Sequence, residues 1–145
     1  MQVRHILQDK GRSIIAIADT ASVGDAARLL TQHRIGAVLV KQGSGGLAGI
    51  LSERDVVRAV AADGAAALER GVEGYMTRDV VTCTESDSVE GLMEVMTRGR
   101  FRHLPVLDDQ HKLAGLISIG DVVKSRIAET VNEANSLRDY ITAVG

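Results

Sequence analysis

Two short stretches of this sequence share one pattern: GILSERD at residues 49–55 and GLISIGD at residues 115–121. In each stretch a glycine is followed by a serine three positions later and by an aspartate three positions after that. A serine with an acidic residue three positions on is typical of a capping box at the start of a helix. The stretches lie 66 positions apart, which indicates an internal repeat.

The repeat extends well beyond these two stretches. Residues 13–59 align with residues 79–125 without a gap, and twelve of the 47 aligned pairs are identical. Other pairs exchange one aliphatic residue for another, such as Ile50 with Leu116. The chain is therefore a tandem duplication, and each half is too short to bury a sufficient core alone.

Each repeat is predicted to contain a strand, a helix, two strands joined by a tight turn, and a second helix. Ser22 and Ser88 are the predicted N-caps of the first helices, and Ser52 and Ser118 those of the second. The strands are predicted over residues 14–18, 37–41, 47–51, 80–84, 103–107 and 112–117. Two such units packed sheet to sheet would share one core about a pseudo-twofold axis.

Beyond the second repeat the sequence predicts one more helix with an apolar stripe. The stripe consists of Ile127, Val131, Ala134, Leu137 and Ile141. Core packing explains such a stripe most simply, and a dimer interface is the alternative. Val56, Val57 and Val60, with Val122 and Val123 of the second repeat, also favour a homodimer through apolar helix faces.

Composition excludes several classes of function. The 145 residues carry a net charge of −2, with one Phe, two Tyr and no Trp, so the chain has neither the basic field nor the stacking side chains of a nucleic-acid-binding protein. Cys83 is the single cysteine, which favours a cytoplasmic location. We expect no signal peptide, since residues 1–5 contain no apolar run, and no membrane-spanning segment.

No enzyme chemistry is apparent in the sequence. The four histidines lack the spacing of metal ligands, and no pair of carboxylates suggests acid–base catalysis. Cys83 has no histidine and acid placed to activate it, so we expect a small core residue there. We therefore predict no catalytic residues, no metal and no catalytic cofactor.

The sequence resembles a tandem cystathionine-β-synthase (CBS) domain pair, or Bateman module, in four features. They are the duplication, the MTRDVV stretch at residues 76–81, the RHLPV strand at residues 102–106 and the paired glycine–serine–aspartate stretches. Without an attached catalytic domain, the chain is similar to the free-standing prokaryotic type. The resemblance implies an α/β (α+β) fold of two βαββα repeats. The predicted divisions are repeat 1 over 8–62, a connector over 63–78, repeat 2 over 79–126 and a C-terminal helix over 127–145.

The two serine–aspartate pairs have two interpretations. In the first, they cap helices and have no other role. Alternatively, the helix N-terminus and the serine hydroxyl bind a phosphate, and the aspartate one turn on accepts the hydroxyls of a ribose. The resemblance favours the second interpretation, because the matching Asp of CBS pairs holds ribose and the matching Ser lies near phosphate.

The resemblance also implies which residues form each site, since each borrows from the opposite repeat. The first site would comprise Ser118, Asp121, Arg102, His103, Lys10, Ile15, Ile35, Gly36 and Ala37. The second would comprise Ser52, Asp55, Thr77, Val81 and Phe101. The first repeat has uncharged Gly36 and Ala37 where the second has Arg102 and His103, so we expect unequal sites, with the one at Asp121 better equipped.

The function predicted from these observations is a regulatory module that binds an adenine nucleotide (AMP, ADP, ATP or NAD(H)), senses energy or redox status, and signals to an unknown protein target. The alternative is a constitutive protein-interaction scaffold with an empty cleft. Loss of nucleotide binding on substitution of Asp121 would distinguish the first from the second.

Overall fold

The computed structural model describes residues 1–144; Gly145, the last residue of the predicted C-terminal helix, lies outside the described residues. It has an α+β fold of five helices and six strands, with two short 3-10 helices at Gly64–Glu69 and Val72–Gly74 within residues 1–144. In chain order the elements are α1 (Val3–Lys10), β1 (Ala16–Ala18), α2 (Val23–His33), β2 (Ala37–Lys41), β3 (Leu47–Ser52), α3 (Glu53–Asp63), β4 (Cys83–Thr84), α4 (Val89–Gly99), β5 (His103–Leu107), β6 (Leu113–Ser118) and α5 (Ile119–Val144).

The strands form two three-stranded mixed sheets with the same topology. In one sheet β2 lies between parallel β1 and antiparallel β3, and in the other β5 lies between parallel β4 and antiparallel β6. Ala37 pairs with Ser52 and His103 with Ser118, so the register is also repeated. The predicted repeat of strands and helices is confirmed.

The first strand of each repeat is shorter than predicted, and β4 is the shorter of the two. The Leu39 N–H donates to Ile15 O at 3.2 Å, which continues the pairing of β1 with β2. Pro105 occupies the corresponding place in β5 and has no N–H to donate. β4 is therefore confined to Cys83–Thr84, where the sequence predicted a strand over 80–84.

The chain packs as two compact units. The repeat-1 unit is residues 13–81, and the repeat-2 unit combines residues 1–12 with the chain from Thr82 onward. Helix α1 was not predicted, and it places Val3, Ile6 and Leu7 in the repeat-2 core with Leu104, Ile117 and other buried residues. The repeat-1 core is built around Leu30, Val38, Val40, Leu51 and Met76.

A short closing segment completes each unit in the same way. In the repeat-1 unit the Val72 N–H donates to Ala21 O, and the Val23 N–H donates to Arg70 O, both at 2.9 Å. The repeat-2 unit makes the same two bonds with residues of the N-terminal segment: Val3 N–H to Asp87 O and Val89 N–H to Met1 O, both at 2.9 Å. The closing segments are residues 1–10 and 70–77. Both lie outside the aligned stretches of the two repeats, 13–59 and 79–125.

The closing segments also explain the first residue of both glycine–serine–aspartate stretches. A Cβ on Gly49 would lie 2.5 Å from Thr77 O and 2.9 Å from Met76 Sδ. A Cβ on Gly115 would lie 2.6 Å from Leu7 Cδ2. Gly49 is required because the backbone of the closing segment packs directly on its strand, whereas the neighbour of Gly115 is the end of the Leu7 side chain.

The apolar stripe of the C-terminal helix is exposed. Ile127, Val131, Leu137 and Ile141 are each more than half exposed, and Ala134 is exposed as well. The expectation that this stripe packs into the core of the chain is wrong, because α5 runs past the last element that could cover it. Within residues 1–144, no helix is both long and apolar enough to span a membrane.

Candidate ligand site

Both serine–aspartate pairs form reciprocal capping boxes. At the start of α5, the Asp121 N–H donates to Ser118 Oγ at 3.1 Å and the Ser118 N–H donates to Asp121 Oδ2 at 2.9 Å. At the start of α3, the corresponding distances for Ser52 and Asp55 are 3.3 and 2.8 Å. The capping prediction is confirmed, and the boxes hold each carboxylate at the positive end of a helix dipole.

Lys10 reaches Asp121 within the repeat-2 unit. Its Nζ donates to Asp121 Oδ2 at 2.7 Å and to Leu116 O at 2.9 Å. Lys10 is the last residue of α1, and Gly11 ends the helix with φ of +94°, a conformation that favours glycine. The packing of α1 on β6 thus places a cation at the start of α5, 111 residues away in the sequence.

Asp121 is held in its charged form by these neighbours. Burial is the largest single influence and acts to raise the pKa of Asp121. The hydrogen bonds from Lys10 and Ser118, together with the charge of Lys10, outweigh burial, so the pKa lies below the usual value for aspartate. An ionised carboxylate is an acceptor only, and two hydroxyl groups of one sugar are suitable donors to it.

Arg102 and His103 lie beside the same helix start. The Ile119 N–H donates to Arg102 O at 2.8 Å, and His103 pairs with Ser118 across the sheet. The Arg102 side chain is exposed. Phe101, one residue earlier, packs partly buried against the repeat-2 core. The repeat-2 unit therefore brings together Lys10, Arg102, His103, Ser118 and Asp121.

The repeat-1 unit brings together a second, less charged group. The Glu53 N–H donates to Gly36 O at 3.0 Å, and Ala37 pairs with Ser52. Thr77 forms an isolated bridge with Ile50. Asp55 therefore lies near Gly36, Ala37 and Thr77.

The remaining predicted contact residues of the repeat-1 unit are Ile15, Ile35 and Val81, of which Ile35 lines a depression together with Gly36 and Glu53. Ile15 and Ile35 are partly buried against the repeat-1 core, and Val81 is exposed. The predicted grouping of Ile15, Ile35, Gly36 and Ala37 with Asp121 joins residues of the two units, and it stays a prediction.

The two helix starts differ in openness as well as charge. The Asp121 side chain is 22% exposed and has Lys10 at 2.7 Å. The Asp55 side chain is 10% exposed, and its nearest cation is Arg58, whose Nη1 lies 3.7 Å from Oδ1. Only one of these carboxylates thus combines access for a ligand with a strong cationic neighbour, which supports the prediction of unequal sites.

Lys124 was not among the predicted site residues. It lines a depression of about 170 Å³ together with Lys10, Asp121 and Ser125. Its position one helical turn after Asp121 is the sequence signal that could have indicated it, because residues three apart on a helix lie on the same side. The depression therefore has two lysines and two aspartates, since Asp9 also lines it.

Cys83 lies in the repeat-2 core and is unsuited to nucleophilic chemistry. Burial, with a smaller contribution from the charge of Asp87, raises its pKa to about 12. We expect the native thiol to react with Ellman's reagent at least about 100-fold more slowly than the same chain in guanidinium, because the thiolate is scarce and covered. Equal rates in the two states would contradict this placement.

Among residues 1–144, no group of three or more His, Cys, Asp or Glu side chains is arranged to hold a metal ion. The acidic and basic side chains at the start of α5 instead form one small charged group on a helix N-terminus, which is suited to a polar organic ligand.

The CBS domain family model matches this chain twice, over residues 3–62 and 72–128. The chain belongs to the CBS domain family. The two matches begin at Val3 and Val72, which lie in the two closing segments. The Val3 N–H donates to Asp87 O and the Val72 N–H donates to Ala21 O. The predicted repeat boundaries, 8–62 and 79–126, stay a prediction beside these matches.

Solved structures of CBS proteins share this fold. The CBS-domain-containing protein ATU1752 from Agrobacterium tumefaciens is 48% identical, with a TM-score of 0.83 over 86% of this chain and 92% of its own. The CBS domain pair of protein MJ0100, in complex with 5′-methylthioadenosine and S-adenosylmethionine, is 25% identical with a TM-score of 0.79 over 89% and 98%. The CBS protein PAE2072 from Pyrobaculum aerophilum, complexed with AMP, is 25% identical with a TM-score of 0.76 over 83% and 89%.

Proposed function

We propose that this CBS protein is a regulatory module that binds an adenine nucleotide (AMP, ADP, ATP or NAD(H)) at Asp121 and has no catalytic activity of its own. The observation that carries the proposal is the arrangement of Ser118, Asp121 and Lys10 at the N-terminus of α5. A carboxylate for the ribose, the Ser118 hydroxyl at a helix N-terminus for a phosphate, and a cation thus lie at one place.

We assign separate roles to these groups. Asp121 accepts hydrogen bonds from the ribose hydroxyls, while the Ser118 hydroxyl donates to the phosphate at the positive end of the α5 dipole. Arg102 supplies positive charge beside them, and His103 lies next to it in the chain. Ligand binding then shifts the equilibrium between two arrangements of the protein by its difference in affinity for them, and a partner protein responds to that shift.

The ligands named for the structural relatives support an adenosine ligand. MJ0100 is complexed with 5′-methylthioadenosine and S-adenosylmethionine, and PAE2072 with AMP. The three compounds share adenosine and differ in the charge at its 5′ position. Asp121 accounts for recognition of the shared ribose, and the nearby cations account for a choice among 5′ groups.

Calorimetric titration of the purified protein with AMP, ATP, NADH, 5′-methylthioadenosine and S-adenosylmethionine tests the proposal. We expect micromolar binding of at least one of AMP, ATP and NADH. Binding of 5′-methylthioadenosine or S-adenosylmethionine alone would retain an adenosine module and overturn the assignment to energy or redox status. Binding of none of the five would overturn the ligand proposal.

Lys10 should determine the preference for charged ligands. The variant Lys10→Met removes the cation beside Asp121. We therefore expect the affinity for AMP to fall by about three- to tenfold relative to the affinity for uncharged 5′-methylthioadenosine. The ratio of the two dissociation constants is the measurement. It is insensitive to competition between Lys10 and ribose for Asp121, because both ligands carry the same ribose.

Lys112→Met is the matched control for Lys10→Met. Lys112 lies in the turn between β5 and β6, at the end of the sheet away from Ser118. This variant removes the same charge from the same unit and should leave the ratio unchanged. An unchanged ratio in Lys10→Met would show that Lys10 does not interact with the 5′ group.

A constitutive interaction scaffold is the second candidate function, and one observation favours it. Ser22 and Asp25 form the same reciprocal capping box at the start of α2, and there the aspartate also pairs with Arg28. The boxes at Ser52 and Ser118 therefore need no ligand to explain them. If the protein is a scaffold, the parent protein should have no affinity for nucleotides. Variants at Asp121 should then fold and bind the partner protein as the parent protein does.

We further propose that the protein is a homodimer. Val57, Val60 and Val123 are exposed, as a dimer interface through the helices requires. Val122 is buried and Val56 partly buried in the chain, so these two residues contribute to the cores instead. The protein target of the module and its location in the cytoplasm stay predictions.

A further inference from the structure

The second half of α5 has no cover within its own chain. Glu129 is the last partly buried residue of the helix, and every side chain from Thr130 to Ala143 is exposed. Val131, Leu137 and Ile141 are 52%, 61% and 61% exposed. Helices in proteins owe most of their stability to the packing of an apolar face, so a partner that covered this segment would stabilise it.

Most of the exposed apolar residues follow a heptad repeat, with Val131 at an e position and Tyr140 at a g position beside it. Ile127, Ala134 and Ile141 are seven residues apart and occupy the a positions, and Val123, Thr130 and Leu137 occupy the d positions. The outer positions of the same segment are polar or small: Ala128, Asn132, Asn135, Ser136, Asp139, Thr142 and Ala143. A narrow a/d stripe of this kind is suited to one facing helix, the geometry of a two-stranded coiled coil.

The flanking charges favour a parallel pair of identical helices. Glu133 occupies a g position and Arg138 the e position five residues later. In a parallel coiled coil, g of one helix faces that e position of the other, so two Glu133–Arg138 ion pairs would form by symmetry. An antiparallel pair centred on Ala134 and Leu137 would instead place Glu133 opposite Tyr140 and Val131 opposite Arg138.

We infer that residues 123–143 of α5 form a parallel two-stranded coiled coil with the same helix of a second copy of this chain. The apolar surface of Ile119, Val123 and Ile127 on α5 continues the stripe toward the body of the repeat-2 unit. The coiled coil places the interface of the proposed homodimer on α5, and of the exposed valines Val57, Val60 and Val123 it includes Val123. It does not depend on nucleotide binding.

Cysteine cross-linking tests both the occupant and the direction. In a Cys83→Ser background, Ala134→Cys places thiols at facing a positions, within the Cα separation of about 7 Å that a disulfide allows. We expect most chains to form a disulfide-linked dimer under mild oxidation. Asn135→Cys, on the outer side of the helix, is the control and should stay largely monomeric on a non-reducing gel.

Sedimentation equilibrium separates this interface from any other. Leu137→Asp should weaken the dimer at least tenfold, and Asn132→Asp should not change it. Glu133→Arg should weaken it, and the double variant Glu133→Arg, Arg138→Glu should restore it. Absence of the Ala134→Cys cross-link, equal cross-linking at residue 135, or a dimer indifferent to Leu137→Asp would each overturn the inference, whatever nucleotide titration shows.

Discussion

Asp121→Ala is expected to weaken binding of the adenosine ligand by about 100-fold or more. The variant removes the acceptor for two ribose hydroxyls, and a hydrogen bond to a charged group contributes about 1.5–3 kcal/mol. It also removes one side of the capping box on α5, which costs about 1 kcal/mol of the free energy of unfolding. Calorimetric titration and urea denaturation of the same preparation measure the two effects separately.

Asp25→Ala is the matched control for Asp121→Ala. It removes the acidic member of the capping box at the start of α2, where no ligand is proposed. We expect a similar loss of stability and unchanged ligand affinity. Equal affinity in the parent protein and in folded Asp121→Ala would contradict the role of Asp121, and binding that also fails in Asp25→Ala would point to a stability effect.

Gly49→Ala is expected to destabilise the repeat-1 unit by about 1–3 kcal/mol, the usual cost of overpacking. The new methyl group would meet the Thr77 carbonyl oxygen at 2.5 Å and Met76 Sδ at 2.9 Å. The Thr77 oxygen accepts the hydrogen bond from the Ile50 N–H, so moving it away breaks the bond that holds the closing segment. Urea denaturation measures the loss.

Two further alanine variants, both expected to be less destabilising, serve as comparisons for Gly49→Ala. Gly115→Ala should cost less, because its methyl group meets only the flexible end of the Leu7 side chain. Gly43→Ala, in the turn between β2 and β3, should change stability by less than about 0.5 kcal/mol, since no other described residue lies within 4 Å of its added methyl group. A Gly49→Ala variant as stable as Gly43→Ala would show that the closing segment packs elsewhere in solution.

The parts of the fold that sequence predicted are those set by local chemistry. The strands His103–Leu107 and Ala37–Lys41 have their predicted bounds, because each is a central apolar run between turn residues. The serine caps were also predictable, since a hydroxyl followed by apolar residues at helical spacing is a local signal. Asp121 and Ser118 were found through that same signal.

The parts that sequence missed depend on distant residues. Helix α1 has only eight residues, and its stability comes from packing Val3, Ile6 and Leu7 against the second repeat. The sequence does contain a sign of α1: shifting the chain against itself by 69 residues aligns Val3 with Val72 and Leu7 with Met76. This alignment is weaker than the one at a shift of 66 residues that revealed the repeat. The Lys10–Asp121 distance likewise follows from packing, as no rule of local spacing relates residues so far apart.

The order of α1 and β6 along the chain has a consequence during synthesis. The apolar residues of α1 leave the ribosome before their partner strand β6 and Asp121, which follow more than a hundred residues later. At about 5–20 residues per second, α1 waits roughly 5 to 20 seconds while the repeat-1 unit is made and can fold. A nascent chain that stalls in the second repeat therefore keeps an uncovered apolar helix, which chaperones and proteases can recognise as a sign of incomplete translation.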